Sequence, residues 1–251
     1  MLEIEDHDGI ELFRIRHGKV NAIDTELLEG LRDGLAEVQR RGARAVVLTG
    51  FDSVFSAGVD LFKVLDGGSR YVSDLLPALS IALRELVAFP RPLVAAINGH
   101  AIAGGCILAC ACDYKMMAAG SGRIGVPELL VGVPFPAVPL EILRMVVPRR
   151  HLQEVVLLGR TYGPEEGRDR GLVDEVVPAR ELQARSLAVA AEMAAIESRT
   201  FELGKRQLRR PHLDAMDLNR QLFDGEVEAH WQDLEAHERI RAYLARTLGK
   251  K

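Results

Sequence analysis

The sequence predicts an α/β protein that ends in a helical region, and three observations carry that expectation. Short, nearly continuous apolar runs occur at residues 43–49, 93–97 and 114–118. Such runs mark strands buried on both faces of a helix-covered sheet. Segments of helical periodicity separate them, and strands alternating with helices define the α/β class. From Glu181 onward the pattern is helical only.

Each element follows in order. Ile10, Leu12 and Ile15 lie in a run of mixed polarity that ends at His17-Gly18, consistent with a strand. Leu27, Leu28, Leu31, Leu35 and Val38 recur at helical spacing, which predicts a helix over 25–39. Asp24 or Thr25 suits its N-cap. The valine-rich run 43–49 follows as a strand. Residues 61–71 read as a loop with a flexible point at Gly67-Gly68-Ser69, and 72–89 as a helix. Pro90 and Pro92 force extended backbone into the strand 93–97. The strand 172–177 ends at Pro178. Helices are expected over 182–193, 200–208, 213–222 and 231–248. The charges of this tail suit a solvated face or a contact between subunits.

The 251 residues carry 36 acids against 32 lysines and arginines, a net charge of −4. That balance excludes a general polyanion binder, so no nucleic-acid partner is expected. An apolar content of 48% excludes wholesale disorder. The start, MLEIEDHDGI, has neither the charge nor the apolar core of a targeting segment. The apolar stretch Leu93–Cys112 has the length of a membrane span. However, Asn98, Gly99, His100 and Gly104-Gly105 interrupt it, so a strand, a turn and a buried helix are expected. Cys106, Cys110 and Cys112 match no zinc spacing, and no metal is expected. They read as small packed residues in a reducing compartment, and a cytoplasmic location is the expectation.

Gly120-Ser121-Gly122-Arg123-Ile124-Gly125 fits a dinucleotide-binding string. That motif needs an unbroken helix starting inside it. Pro127, Pro134, Pro136 and Pro139 break the following segment, so a surface turn is expected instead. Two other glycine turns are more informative: Phe55-Ser56-Ala57-Gly58-Val59-Asp60 and Asn98 to Gly105, each directly after a strand or its loop. Small residues let a ligand approach the backbone. Two such turns converging would form a two-donor oxyanion hole. The alternative is a pair of tight turns with nothing bound.

The order and spacing of these strings resemble the enoyl-CoA hydratase/isomerase (crotonase) family. The resemblance runs from Lys19-Val20-Asn21-Ala22-Ile23-Asp24 through AVVLTG (45–50), FSAGVDL (55–61) and RPLVAAINGHAIAGGC (91–106). It continues through CDYKMMAA (112–119), IGVPELLVGV (124–133) and GLVDEVVP (171–178). It implies a crotonase-like spiral of repeated β-β-α turns over residues 1–195. A helical C-terminal region, 196–251, would serve for trimerisation or as a lid. It implies an acyl-CoA substrate, no cofactor beyond that CoA, no membrane partner, and a homotrimer or homohexamer.

The resemblance also assigns roles. The backbone N–H groups of Val59 and Gly104 would be the oxyanion donors that grip a thioester carbonyl. Ala57, Gly58, Asp60 and Leu61 would line the CoA arm, with Asn21 and Ala22 near its nucleotide end. Family hydratases use two glutamates to hold one water. The first position is Ile107 here, which can neither hold water nor carry a proton. The second is Glu128, in Val126-Pro127-Glu128. A lone carboxylate suits the Δ3,Δ2-enoyl-CoA isomerase branch, in which a proton leaves C2 and returns at C4. Dienoyl-CoA isomerases need an aspartate where Pro136 stands. Asp66, Asp74 or Glu141 could supply a second acid, and His100 reads as structural. Hydration, decarboxylation, thioester hydrolysis, or mere acyl-CoA binding are the alternatives.

Overall fold

The apolar runs form buried strands, and the computed structural model describes residues 2–248. Met1 and the last three residues of the expected 196–251 region lie outside the described residues. The chain opens with strands β1 (Leu2–His7) and β2 (Ile10–Ile15), then helix α1 (Thr25–Arg40). Next come β3 (Ala45–Thr49), β4 (Val54–Ser56) and α2 (Leu61–Ala88). A second turn repeats the pattern with β5 (Leu93–Ile97), β6 (His100–Ile102) and α3 (Gly104–Cys110). A third has β7 (Tyr114–Ala118), β8 (Ile124–Gly125) and the short α4 (Glu128–Val131). Helices α5 (Ala137–Val146) and α6 (Arg149–Leu157) follow, then β9 (Thr161–Tyr162), α7 (Pro164–Asp169) and β10 (Glu175–Val177). The chain closes with α8 (Leu182–Ala194), α9 (Ser198–Gln232) and α10 (Leu234–Leu248).

Each β-β-α turn gives one strand to each of two sheets, which is the expected spiral. The larger sheet has the order β1-β2-β3-β5-β7-β10, and the smaller β4-β6-β8-β9. In the larger sheet every pair but β1–β2 is parallel. Its central strands β3 and β5 are buried along their whole length because both faces are covered. Phe13, Ile15, Val46 and Leu48 join the main core with α1 and α2. Ile10, Leu12, Ala45 and Val47 point the other way, against Leu182, Val189 and Ala190 of α8. Alternate residues of one strand serve opposite faces.

Four features differ from the sequence expectation. Strand β1 pairs with β2 antiparallel, Leu2 opposite Ile15; its alternating acids show the look of a solvated edge. Helix α2 starts at Leu61, where a loop was expected, because Asp60 caps it by accepting from the Phe62 and Lys63 N–H groups at 3.0 and 3.1 Å. The flexible point is real but local, a kink at Gly68 (φ 58°). The two helices expected at 200–208 and 213–222 are one helix, α9, which runs through Pro211. The break falls later, at Asp233, so Trp231 lies in the last turn of α9 and α10 begins at Leu234.

The tail is not solvated throughout. Lys205 and Arg209 of α9 are buried against Asp113, at 2.6 and 3.2 Å. Asp113 also accepts from the Leu93 N–H at 2.9 Å, so this carboxylate ties α9 to the start of β5. Burial lowers the Lys205 pKa even though Asp113 opposes it. The three cysteines are buried and unbridged, as expected of small core residues. Among the described residues no helix is long and apolar enough to cross a membrane.

Candidate active site

The site begins with two turns at the ends of the small sheet. After β4 the chain passes through Gly58, whose φ of +85° few residues but glycine adopt. Ser56 Oγ accepts from the Gly58 N–H at 3.2 Å and donates to the Asn21 carbonyl at 2.7 Å. Ile23 then clamps the next peptides from both sides. Its N–H donates to the Gly58 carbonyl at 2.8 Å, and its carbonyl accepts from the Asp60 N–H at 2.9 Å. The Val59 N–H points away from this bridge.

The second turn follows β6. Ala103 holds φ 54°, ψ −128°, and its N–H donates to the Gly125 carbonyl at 2.8 Å. Its carbonyl accepts from Cys106 and Ile107, which starts α3. The Gly104 N–H therefore faces outward at the helix start. Among the described residues neither it nor the Val59 N–H finds an acceptor. The turns touch. A Cβ on Gly58 would lie 2.9 Å from the Gly104 nitrogen, and one on Gly104 would lie 3.6 Å from the Val59 nitrogen. Two unpaired N–H donors at such close quarters have the geometry that a two-donor oxyanion hole requires.

Beside the donors lies an apolar cavity of about 640 Å³, measured to include its mouth. Ala57, Val59, Leu61, Gly104 and Ile107 line it, together with Leu83 of α2 and Phe135 before α5. Glu128 is the one carboxylate in its lining among the described residues. Strand β8 ends at Gly125, and Pro127 turns the chain so that Glu128 starts α4. Its Oε2 is sealed from solvent and has no hydrogen-bond partner. Burial raises its pKa to about 8, opposed only by a hydrogen bond from its own backbone. No cation offsets that burial. Such a carboxyl can gain and lose a proton near neutrality.

The structure thus brings Val59, Gly104 and Glu128 to one cavity, with Ala57 and Leu61 at its edge. Gly58 supports the turn from beneath. Asp60 turns its carboxylate to the α2 cap. Ala22 is half-buried beside Ile23. Asn21 has its side chain committed: it accepts from the His17 N–H and donates to the carbonyls of Val54 and Phe55, so it holds the turn in shape. The other acids lie elsewhere. Asp66 and Asp74 are exposed and outside the cavity. Glu141 accepts from Asn219 at 2.7 Å and from Arg144. His100 Nδ1 accepts from the Arg123 N–H at 3.2 Å, a structural role. The string 120–125 runs as a surface bend into β8.

Three contributors escaped the sequence reading. Ile23 looks like any core residue, yet its backbone holds the Gly58–Asp60 turn. Trp231 and Tyr243 reach the cavity from α9 and α10. Trp231 is fixed there by donating its indole N–H to the Pro134 carbonyl at 2.9 Å. Only the isolation of the single tryptophan hinted at a role.

Known proteins share this fold. The profile of the enoyl-CoA hydratase/isomerase family matches residues 5–246. Enoyl-CoA delta isomerase 1, mitochondrial, of Mus musculus is 29% identical over 217 residues, 85% of this chain and 75% of that protein. A putative enoyl-CoA hydratase of Thermus thermophilus is 30% identical over 212 residues, 83% of each chain. The crystal structure of human mitochondrial delta3-delta2-enoyl-CoA isomerase superposes with a TM-score of 0.94 at 26% identity, covering 100% of this chain and 99% of that one.

Proposed function

Because the chain belongs to the enoyl-CoA hydratase/isomerase family, we propose that it shifts the double bond of a 3-enoyl-CoA to give the conjugated 2-enoyl-CoA. The observation that carries this reading is the single carboxylate. Glu128 faces the cavity alone, and Ile107 stands where a second acid would hold water. The similarity to proteins named delta isomerases points the same way.

The geometry supports the following course. The thioester oxygen would sit between the Val59 and Gly104 N–H groups. As Glu128 takes a proton from C2, negative charge moves onto that oxygen, where the two donors stabilise it. One such donor contributes about 3–4 kcal/mol in the transition state. Glu128 then returns the proton to C4, and the double bond comes to rest beside the carbonyl. Hydration needs a water held and activated by two groups, and this apolar lining supplies one. No cofactor beyond the CoA of the substrate enters the scheme. Assembly as a homotrimer or homohexamer, and a cytoplasmic location, belong to the same proposal.

The test is a pair of incubations. With a 3-enoyl-CoA, absorbance of the conjugated thioester should grow. With a 2-enoyl-CoA in water it should persist. Glu128→Gln should lower the isomerisation rate at least about a hundredfold, the usual range for a positioned acid–base group, while acyl-CoA binding survives. Full activity in that variant, or rapid loss of the conjugated absorbance, would overturn the assignment.

A further inference from the structure

The cavity wall towards α10 is one side chain thick. Pro127 and Tyr243 line the catalytic cavity on one side and a separate surface pocket on the other. The two spaces have opposite chemistry. The cavity is apolar apart from Glu128, whereas the outer pocket is lined by Arg123, Arg160 and Arg170 against Glu166. Two of these arginines already have partners. Arg170 lies 3.0 Å from Glu154, and Arg123 bonds the Thr161 carbonyl and lies 4.0 Å from Glu166. Arg160 is exposed and makes no ion pair among the described residues. The Tyr243 ring stands between the two spaces, half-buried, and its hydroxyl makes no hydrogen bond among the described residues. This ring and Pro127 are therefore the wall that the two spaces share, and Arg246 stands over the ring at 5.6 Å from its centroid.

From these observations we propose that Tyr243 partitions a continuous channel and that the outer pocket receives the far end of an acyl chain bearing a terminal carboxylate. The acyl chain would run from the oxyanion hole along the apolar wall and emerge beside Tyr243. A bare alkyl end emerging there would strip water from guanidinium groups and return nothing. A carboxylate would form charge-assisted hydrogen bonds, which arginine presents in a fixed fork. Arg160 is the group with that capacity free. The substrate class is thus an ω-carboxylated enoyl thioester, and Arg160 and Tyr243 determine that specificity.

This inference rests on the acyl-thioester reading of the cavity, and a binding measurement separates the two. Calorimetric dissociation constants are compared for saturated acyl-CoAs, from butanoyl to decanoyl, and their ω-carboxy counterparts. At one chain length or more, the ω-carboxy ligand should bind about tenfold more tightly. Arg160→Ala should bring that ratio to about one, and Arg160→Lys should keep part of it. Because it is a ratio at equal chain length, a general loss of folding cancels. A ratio near one at every length, or a ratio that Arg160→Ala leaves intact, would overturn the inference. Absence of 3-enoyl-CoA isomerisation would overturn the proposed reaction and leave this ratio readable. Absence of all acyl-CoA binding would overturn both.

Discussion

Glu128 sets the pH behaviour of the site. Its carboxyl is the base of the proposed reaction, so only the ionised form starts turnover. With a pKa raised to about 8 by burial, kcat/KM should climb close to tenfold per pH unit below that value and level off above it. A profile flat from pH 6 to about 9 would show that another group takes the proton. The same shift has a stability consequence. The folded protein holds the Glu128 proton up to about 8, whereas the unfolded chain releases it near 4.5. Stability is therefore lost as pH rises between those two values. Glu128→Gln removes the buried charge, so the variant should match the wild type near pH 4. It should exceed it at about pH 9 by on the order of 4 kcal/mol, read from denaturant midpoints. Glu128 and Ile107 were legible through the resemblance to the enoyl-CoA hydratase/isomerase family, because the strings that carry it are short and local: a glutamate after a proline, two glycine turns, an isoleucine where an acid could stand. What the residues did not disclose is that Asp66, Asp74 and Glu141 point elsewhere. Only packing decides which acid faces a cavity.

At the scale of elements, the proposed oxyanion hole is a contact between two turns, and neither turn suffices alone. Gly58 shows how tightly they meet. A methyl group there would lie 2.7 Å from the Ala103 Cβ and 2.8 Å from the Ile102 carbonyl oxygen, on backbone already at positive φ. Gly58→Ala should therefore cost about 2–4 kcal/mol of stability and displace the Gly104 donor. Melting temperature and turnover should fall together. Strands and amphipathic helices could be read from their periodicity, since 3.6-residue and unbroken apolar patterns follow from burial on one face or both. Element boundaries were harder. The glycine pair at 67–68 and Pro211 are local breaking signals, but neither ends its helix. The Asp60 cap and the Asp24–Lys63 contact at 2.5 Å hold the start of α2, and the Asp113 cluster holds α9. The Asp60 cap is local, but Asp24 lies 39 residues from Lys63, and Asp113 lies 92 and 96 residues from Lys205 and Arg209, so no local window contains those partners.

Across the whole molecule, α9 and α10 complete a cavity that the spiral only begins. Trp231 and Tyr243 close its wall, and the ion cluster of Lys205, Arg209 and Asp113 fastens α9 to the spiral. Asp113→Ala would leave two buried cations without their counter-charge. It should destabilise the fold by about 3–5 kcal/mol in equilibrium unfolding. A loss under about 1 kcal/mol would show that the cations reach water instead. The sequence by itself determined the α/β class, the helical tail and the two glycine turns, which rest on periodicity and on the order of strands and turns. The spiral, the donor roles of the turns and the role of the lone glutamate were legible only through the strings that resemble the enoyl-CoA hydratase/isomerase family. The tertiary structure alone decided that the turns meet, that Glu128 is sealed without a partner, and that the tail supplies the far wall. Each of those depends on contacts between segments tens of residues apart, and burial, which sets the pKa and shapes the cavity, is a property of the packed whole.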